Sequence, residues 1–363
     1  MQITSVTSVR DEGPYLLEWI AWHRLLGVTD FLVASNDCRD GTDRLLDALA
    51  DAGVLRHLPQ PPMAEISGEK GTPKSVQWRA LKAAWAQPER KSSDWMLISD
   101  VDEFPMIHCG NHRLTDLIAA LPEETEAVAL AWRLFGANGH TAFTDQPVTG
   151  QFTRSAPPAM LHPVAATFFK SLFRPAAFQR PGVHRPTRRP DAPPAYWVDG
   201  SGRALQGPYL SDRRLSLMSL DGYRALAEMH HYSLRSVEAF VVKSDRGLPN
   251  RSLKGIDLHY WIERNFNTEE NRAALALAQP LAAEIEALKA LPGVAALHQA
   301  ACDWHREAFR RLILTPGGYH LWAGCLHAAN SAVLSDRLAR QLLRQFQSVG
   351  GAGAAEGTGE DSG

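Results

Sequence analysis

The chain has 363 residues, 45% hydrophobic and 21% charged, which is enough apolar material for one large domain or two ordinary ones with a real core. A formal net charge of -2 and a pI near 6.7 give no overall attraction to nucleic acid or to an anionic membrane, so a nucleic-acid partner is not expected and any basic site must be local. The cysteines Cys38, Cys109, Cys302 and Cys325 show no C-x-x-C spacing, which argues against a disulfide framework or a structural zinc site and fits a reducing cytosol. The start, MQITSVTSVRDEG, lacks a basic segment followed by a long apolar one, and no window reaches the roughly 18 apolar residues of a membrane span. A soluble, unprocessed protein is the expectation.

In chain order, ITSVTSV is β-prone, and after the breaker RDEGP the segment YLLEWIAWHRLLG repeats Leu16, Trp19 or Ile20, His23 and Leu26 at helical spacing before Gly27, a helix C-terminal cap. DFLVAS reads as a second strand, NDCRDGT as a turn, DRLLDALADAG as a helix closed by Gly53, and VLRHLP as a third strand. Residues 72–87 read as a helix with Trp78, Leu81 and Trp85 on one side, and DWMLIS as a central strand. Strands alternating with helices imply an α/β fold, a mostly parallel sheet flanked by helices. The Ala- and Leu-rich stretches of the last third predict helices packed on that domain, an oligomer contact or a peripheral membrane surface, and the low-complexity end predicts disorder. The expected division is 1–250 for the α/β catalytic domain, 251–348 for a helical C-terminal extension and 349–363 for a disordered tail.

Open parallel sheets bind ligands beyond the carboxyl ends of their strands, and the polar clusters VRDEG, SNDCRDGT and SDVDEF all fall there. They bring Arg10, Asp11, Glu12, Asn36, Asp37, Asp40, Asp100 and Asp102 to one rim. No G-x-G-x-x-G or P-loop follows the first strand, which argues against a dinucleotide cofactor or a P-loop phosphate cradle. In LISDVDEFPM, an apolar strand runs into Asp100, Asp102 and Glu103, and carboxylates that crowded next to apolar residues ask for a cation. If the segment is extended, Asp100 and Asp102 share a face. Magnesium or manganese, bound by one or two carboxylates and a substrate diphosphate, answers that demand. An isolated D-x-D is more often a solvated turn; its place in register with two other polar strand ends favours the metal.

The ordered blocks VRDEGPYLLEWIAWHRLLGVTDFLVASNDCRDGT, DVDEF, WRLFGANGH and HHYSLRSVEAFVVKSDRG resemble the glycosyltransferase family 2-like group of bacterial glycosyltransferases, related to the family 92 transferases, over roughly residues 3 to 250. The resemblance implies a GT-A fold of Rossmann type, a nucleotide-diphosphate sugar donor, a glycan or glycolipid acceptor, and a divalent metal, Mn or Mg, on Asp100 and Asp102. It places Arg10, Glu12, Asn36 and Asp37 in the donor pocket, with Glu12 and Asp37 toward base or ribose. Asp40 serves equally well as a helix cap. Trp19 and Trp22 read as core, and Lys74 and Arg79 as cations within reach of a phosphate or as a solvated helix face.

Trp132 and Phe135 offer flat apolar surface to a sugar or acceptor, beside Gly136, although large aromatics are more often core. Ser236 reads as an N-cap and Gly247 as the end of the helix between them. Arg235 stands where the group more often has Lys. His231 is a candidate third metal ligand or phosphate donor, and Lys243 and Arg246 would balance the leaving diphosphate. His184 lies in an Arg- and Pro-rich loop that would fold over the ligands or simply stay solvated. For a catalytic base the candidates, from position only, are Asp199 and Glu238. The HCGNH cluster, with His108, Cys109 and His112, has no second half and does not make a zinc site. The alternatives to a metal-dependent cytoplasmic transferase, active at the inner face of the membrane if the acceptor is a lipid, are a haloacid-dehalogenase-like phosphatase with Asp100 as nucleophile and an inactive nucleotide- or glycan-binding module. Surface polysaccharide biosynthesis is the pathway by family analogy.

Overall fold

The computed structural model describes residues 1–62, 75–211, 222–246 and 256–356. Its strands are β1 (Ile3–Val9), β2 (Asp30–Ser35), β3 (Arg56–Pro59), β4 (Trp95–Ile98), β5 (Glu103–Ile107), β6 (Ala127–Leu134), β7 (Arg154–Ser155), β8 (Phe169–Phe173), β9 (Trp197–Asp199), β10 (Ala227–His231) and β11 (Glu269–Glu270). Among the described residues nine of them form one sheet, ordered β3-β2-β1-β4-β8-β6-β10-β5, with β9 beside the first half of β6. The first four are parallel, as the alternating sequence implies. β8 then enters antiparallel between β4 and β6, and β5 runs antiparallel to β10. The short pair β7 and β11 stands apart.

Burial follows from composition. β4 (WMLI) and β6 (AVALAWRL) are buried along their whole length, as continuous apolar runs in a sheet covered on both faces must be. Helix α1 (Gly13–Leu25) begins with Pro14 in its first turn, suited to the proline ring, and ends before Gly27, whose φ of 95° only glycine adopts without strain. Trp19, Ile20 and Trp22 are fully buried, the core role read from the sequence. α1 is buried on nearly every side because α7 (Ala278–Lys289) and α8 (Val294–Leu312) cover the face that the sheet does not. The other helices that matter are α2 (Thr42–Asp51), α3 (Val76–Trp85), α4 (Leu114–Ala119), α5 (Val237–Arg246), α6 (Leu258–Ile262), α9 (Pro316–His327) and α10 (Asp336–Glu356).

α3 starts later than residue 72 because Ser75 caps it, accepting from Trp78 N at 3.1 Å. α10 runs to Glu356, into the segment expected to lack order, since its alanines propagate a helix already begun. α8 packs on α1, α2 and α5, so the helical extension is built into the α/β unit. A buried carboxylate ties a distant loop to α1: Glu18 accepts from the backbone N–H groups of Val148 (2.7 Å) and Thr149 (2.9 Å) and from the Thr149 hydroxyl (2.8 Å).

Two core histidines are held neutral. His23 gives its Nδ1 to the Trp19 carbonyl (2.8 Å), and burial pulls its pKa down to about 4. His305 lies between Tyr15 and Phe143 with both ring nitrogens buried and unpartnered, and burial pulls it to about 3. The unfolded chain takes up these protons near pH 6.5 and the folded chain does not, so stability is full above that pH and falls as pH drops toward 4. His305→Phe is expected to lose less stability than wild type between pH 7 and pH 5, by on the order of 2 kcal/mol in urea melts at the two pH values.

Candidate active site

The strand β4 ends at Ile98, and Ser99 to Asp102 turn the chain into β5. This turn replaces the extended segment that would have put both aspartates on one face, and each of them meets its own lysine. Asp100, with 38% of its side chain exposed, accepts from Lys170 Nζ (3.0 Å) and from Gln77 Nε2 (3.0 Å). Lys170, on β8, has no exposed side-chain surface and also lies 3.3 Å from Glu103 Oε2. Burial disfavours the charge on Lys170, but Asp100 and Glu103 outweigh it and carry the pKa to about 12. Glu103, fully buried with Oε1 unpartnered, is pushed by burial up to about 8 against the pull of Lys170.

Asp102 is buried and accepts from Lys243 Nζ at 2.6 Å, with His231 Nε2 at 3.6 Å from its other oxygen. Burial opposes its ionisation, yet Lys243 and then His231 hold it well below the usual carboxylate range. Lys243 comes from α5, which Ser236 caps as expected, accepting from Ala239 N at 3.2 Å; Gly247 lies outside the described residues. Its ammonium also donates to the Ser233 carbonyl (2.7 Å).

A second cluster closes the end of β1. Glu12 pairs with Arg235 (3.0 Å) and Arg246; burial acts to raise its pKa, and the two arginines overcome this to lower it. Arg235, at a φ of 59°, lies flat over Tyr15 at 3.4 Å. Arg10 and Arg246 exchange hydrogen bonds with each other's carbonyls. Asp11 binds Arg39, and Asp40 accepts from Gly13 N (3.0 Å) and Thr42 N (2.8 Å), which makes it the organiser of two helix starts. Asn36 and Asp37 lie on the turn after β2, where Asn36 Nδ2 donates to Asp37 at 3.3 Å. Arg79 donates to the Pro61 carbonyl, and Lys74 lies outside the described residues.

The remaining candidates divide. Trp132 packs against His231 (centroids 4.1 Å), Phe168 (5.3 Å) and His184 (5.5 Å), so His184 and His231 do meet around one indole. His184 is half-buried, and loss of solvent around its ring pulls its pKa to about 4; its loop is anchored by Arg174 over Trp95, Arg185 over Trp197 and Arg188 on Glu126. Phe135 is core, wedged between His230 and Tyr232. Gly136 faces protein: a Cβ there would come 2.2 Å from Asn267 Oδ1 and 2.7 Å from the Phe266 carbonyl. Asp199 is fully buried and accepts from Ser201 N, Arg203 N and Arg203 Nε, holding the turn after β9; Glu238 accepts from Phe143 N (2.9 Å). Both are tied to backbone rather than directed at the Asp100–Asp102 turn.

Among the described residues, the one His/Cys/Asp/Glu trio whose ligand atoms lie within 4.8 Å of one another is Asp145, His298 and Cys302, so Asp100, Asp102 and His231 do not form a three-cornered cage. His231 serves as a neighbour of Asp102. Sequence reasoning missed Lys170 and Gln77. The available signal for Lys170 was a lysine inside the apolar run TFFKSLF, which a buried strand tolerates only with a paired charge.

Glu103→Gln is expected to leave urea stability at pH 7 within about 1 kcal/mol of wild type, because the amide replaces a carboxyl already held protonated. Lys170→Met is expected to cost roughly 3 kcal/mol in the same melts, since it leaves Asp100 and its surroundings without their buried cation.

The model of Glycosyltransferase family 92 matches residues 6–201, more than half of the chain. A family 92 protein of Oryza sativa subsp. japonica is 29% identical over 152 residues, 40% of this chain and 24% of that protein. One from Ricinus communis is 27% identical over 152 residues, 40% and 25%. The chain therefore spans about a quarter of the length of these curated relatives. Solved structures with local likeness include S. aureus TarS 1-349 in complex with UDP (17% identity, TM-score 0.28, 49% of this chain and 48% of that one). Another is the Mycobacterium tuberculosis glucosyl-3-phosphoglycerate synthase in complex with Mg2+ and UDP (17%, TM-score 0.24, 36% and 43%). The family match begins in β1 and runs through β6 and β8 to the turn after β9, taking in Glu12, Asp100, Asp102, Glu103 and Lys170, and by that match the chain belongs to glycosyltransferase family 92.

Proposed function

We propose that this chain transfers a sugar from a nucleoside-diphosphate donor to a glycan or glycolipid acceptor, using a divalent cation, Mn or Mg, at Asp100 and Asp102. The observation that carries the reading is the meeting of three carboxylates, Glu12, Asp100 and Asp102, and the carboxyl of Glu103 with Lys170, Lys243, Arg235 and Arg246 at the carboxyl ends of β1 and β4. That mixture suits a substrate that brings both negative charge and a metal. The donor set fits a hard cation: its oxygens are carboxylate, and Asp100 keeps over a third of its side chain open. When bound, the ion would neutralise the diphosphate and stabilise it as a leaving group. Asp100 is the exposed ligand, and Lys170 and Gln77 fix its orientation. Asp102 is kept ionised by Lys243. Arg235 and Arg246, locked on Glu12, present fixed positive charge beside the Asp100–Asp102 turn.

Trp132 retains 8% exposure among His184, His231 and Phe168 and is the flat surface best placed for the sugar. The phosphatase alternative places its nucleophile on the first strand, whereas Asp100 follows the fourth. A lipid-linked acceptor and work at the inner, cytoplasmic face of a membrane are supported by exposed Leu314, Tyr319, Leu326 and Phe346 near Arg310, Arg337 and Arg344; no described helix is long and apolar enough to cross a membrane.

A screen of nucleotide-sugars with and without Mn2+, reading release of nucleoside diphosphate, tests the proposal. Turnover of one donor is expected, and Asp100→Asn or Asp102→Asn should lower it on the order of a hundredfold or more, equivalent to about 3 kcal/mol of barrier. Asp100→Asn, at the more exposed position, should melt close to wild type. Nucleotide binding without turnover would identify a binding module instead, and full turnover by both variants would remove the metal role.

A further inference from the structure

The segment from Ile256 to Asn267 lies C-terminal to the family match, yet it packs on α5, the helix that carries Lys243. Asp257 caps α6 by accepting from Tyr260 N at 3.0 Å, and Trp261, 1% exposed, anchors it through a 2.8 Å hydrogen bond to the Ala328 carbonyl. This fixes Tyr260, whose ring stacks on Phe240 of α5 with centroids 6.0 Å apart. Arg264 lies over Tyr260, its guanidinium carbon 3.7 Å from the ring centroid, and Lys243 Nζ is 5.7 Å from the same centroid. One aromatic ring therefore positions two cations. His231 lies in their field: burial lowers its basicity most, and Lys243 and Arg264 lower it further against the opposing pull of Asp102.

The fork of Arg264 is incompletely used. Nη1 donates to the Tyr260 carbonyl and to Glu263 Oε2, both at 3.3 Å, while Nε is buried without a partner. Glu263 is itself shared with His259. Side-chain exposure is only 12% for Arg264 and 10% for Lys243, so water does little to solvate either charge. A planar guanidinium stacked on a ring offers its edge to an oxyanion, and a lysine beside it adds a point charge.

We propose that Arg264, held over Tyr260, and Lys243 form a clamp for a pyrophosphoryl group, contributed by a part of the chain outside the matched family segment. The assignment rests on the nucleotide-sugar reading and names the residues that receive its diphosphate. Arg235 spends Nη1 on Glu12 and Nη2 on the Val101 carbonyl, whereas among the described residues Arg264 hydrogen-bonds through Nη1 alone, which leaves its other terminal nitrogen for a ligand.

Calorimetric titration of the full chain with inorganic pyrophosphate, alone and with Mg2+, tests it. Arg264→Gln should weaken binding roughly tenfold to hundredfold, the range for a charge-assisted contact, and Arg264→Lys, which keeps the charge and loses the fork, should fall between. Arg310→Gln, at an exposed ion pair on α8, should bind as wild type does. Circular dichroism checks folding, and if Arg264→Gln does not fold, Arg264→Lys decides. Wild-type affinity in the folded Arg264 variants would overturn the clamp. Wild-type protein that turns over a nucleotide-sugar but binds no pyrophosphate would overturn the clamp alone; protein that does neither would also overturn the transferase reading.

Discussion

Negative charge gathered at one strand end must be met by positive charge, and the architecture around β4 follows from that requirement. Three acidic residues within four positions could not stay buried beside Ile98 and Phe104 without counter-ions. The fold supplies one lysine from β8 and one from α5, so each aspartate has its own. The third carboxyl, Glu103, has only a share of Lys170 and gives up its charge instead. Paired and neutralised groups thus coexist within one turn, with their roles set by which cation reaches them.

The same logic explains why the sheet departs from a purely parallel order. β8 runs antiparallel between β4 and β6, and that placement delivers Lys170 beneath Asp100. β5 and β10 run antiparallel on the far side, bringing Glu103 and His231 into register. Trp132 near the end of β6 then meets His231 across a parallel pairing. β8, β5 and β10 each carry a residue of the candidate site, so the antiparallel pairings of the large sheet bring its groups together.

Much of this was legible in the chain itself. The alternation of apolar runs and amphipathic segments gave β1 to β4 and the first three helices, because periodicity is a local property. The DVDEF segment stood out as a candidate site since carboxylates after an apolar strand violate the usual burial rule. What escaped was partnership. Nothing local in the sequence links Asp100 to Lys170 or Glu12 to Arg235, because those pairs are formed by strand order and helix packing. For the same reason Asp199, Glu238 and Phe135 looked eligible: residue type shows what a side chain can do, and only the fold shows that its bonds are already taken.

Arg235, Lys243 and Arg246 all lie beyond residue 201, where the family match stops. The limit of detectable kinship is thus not a seam in the molecule. Detached there, the acidic floor would lose most of its compensating charge: a fragment ending at residue 201 would keep Lys170 and lose the cations that meet Glu12 and Asp102.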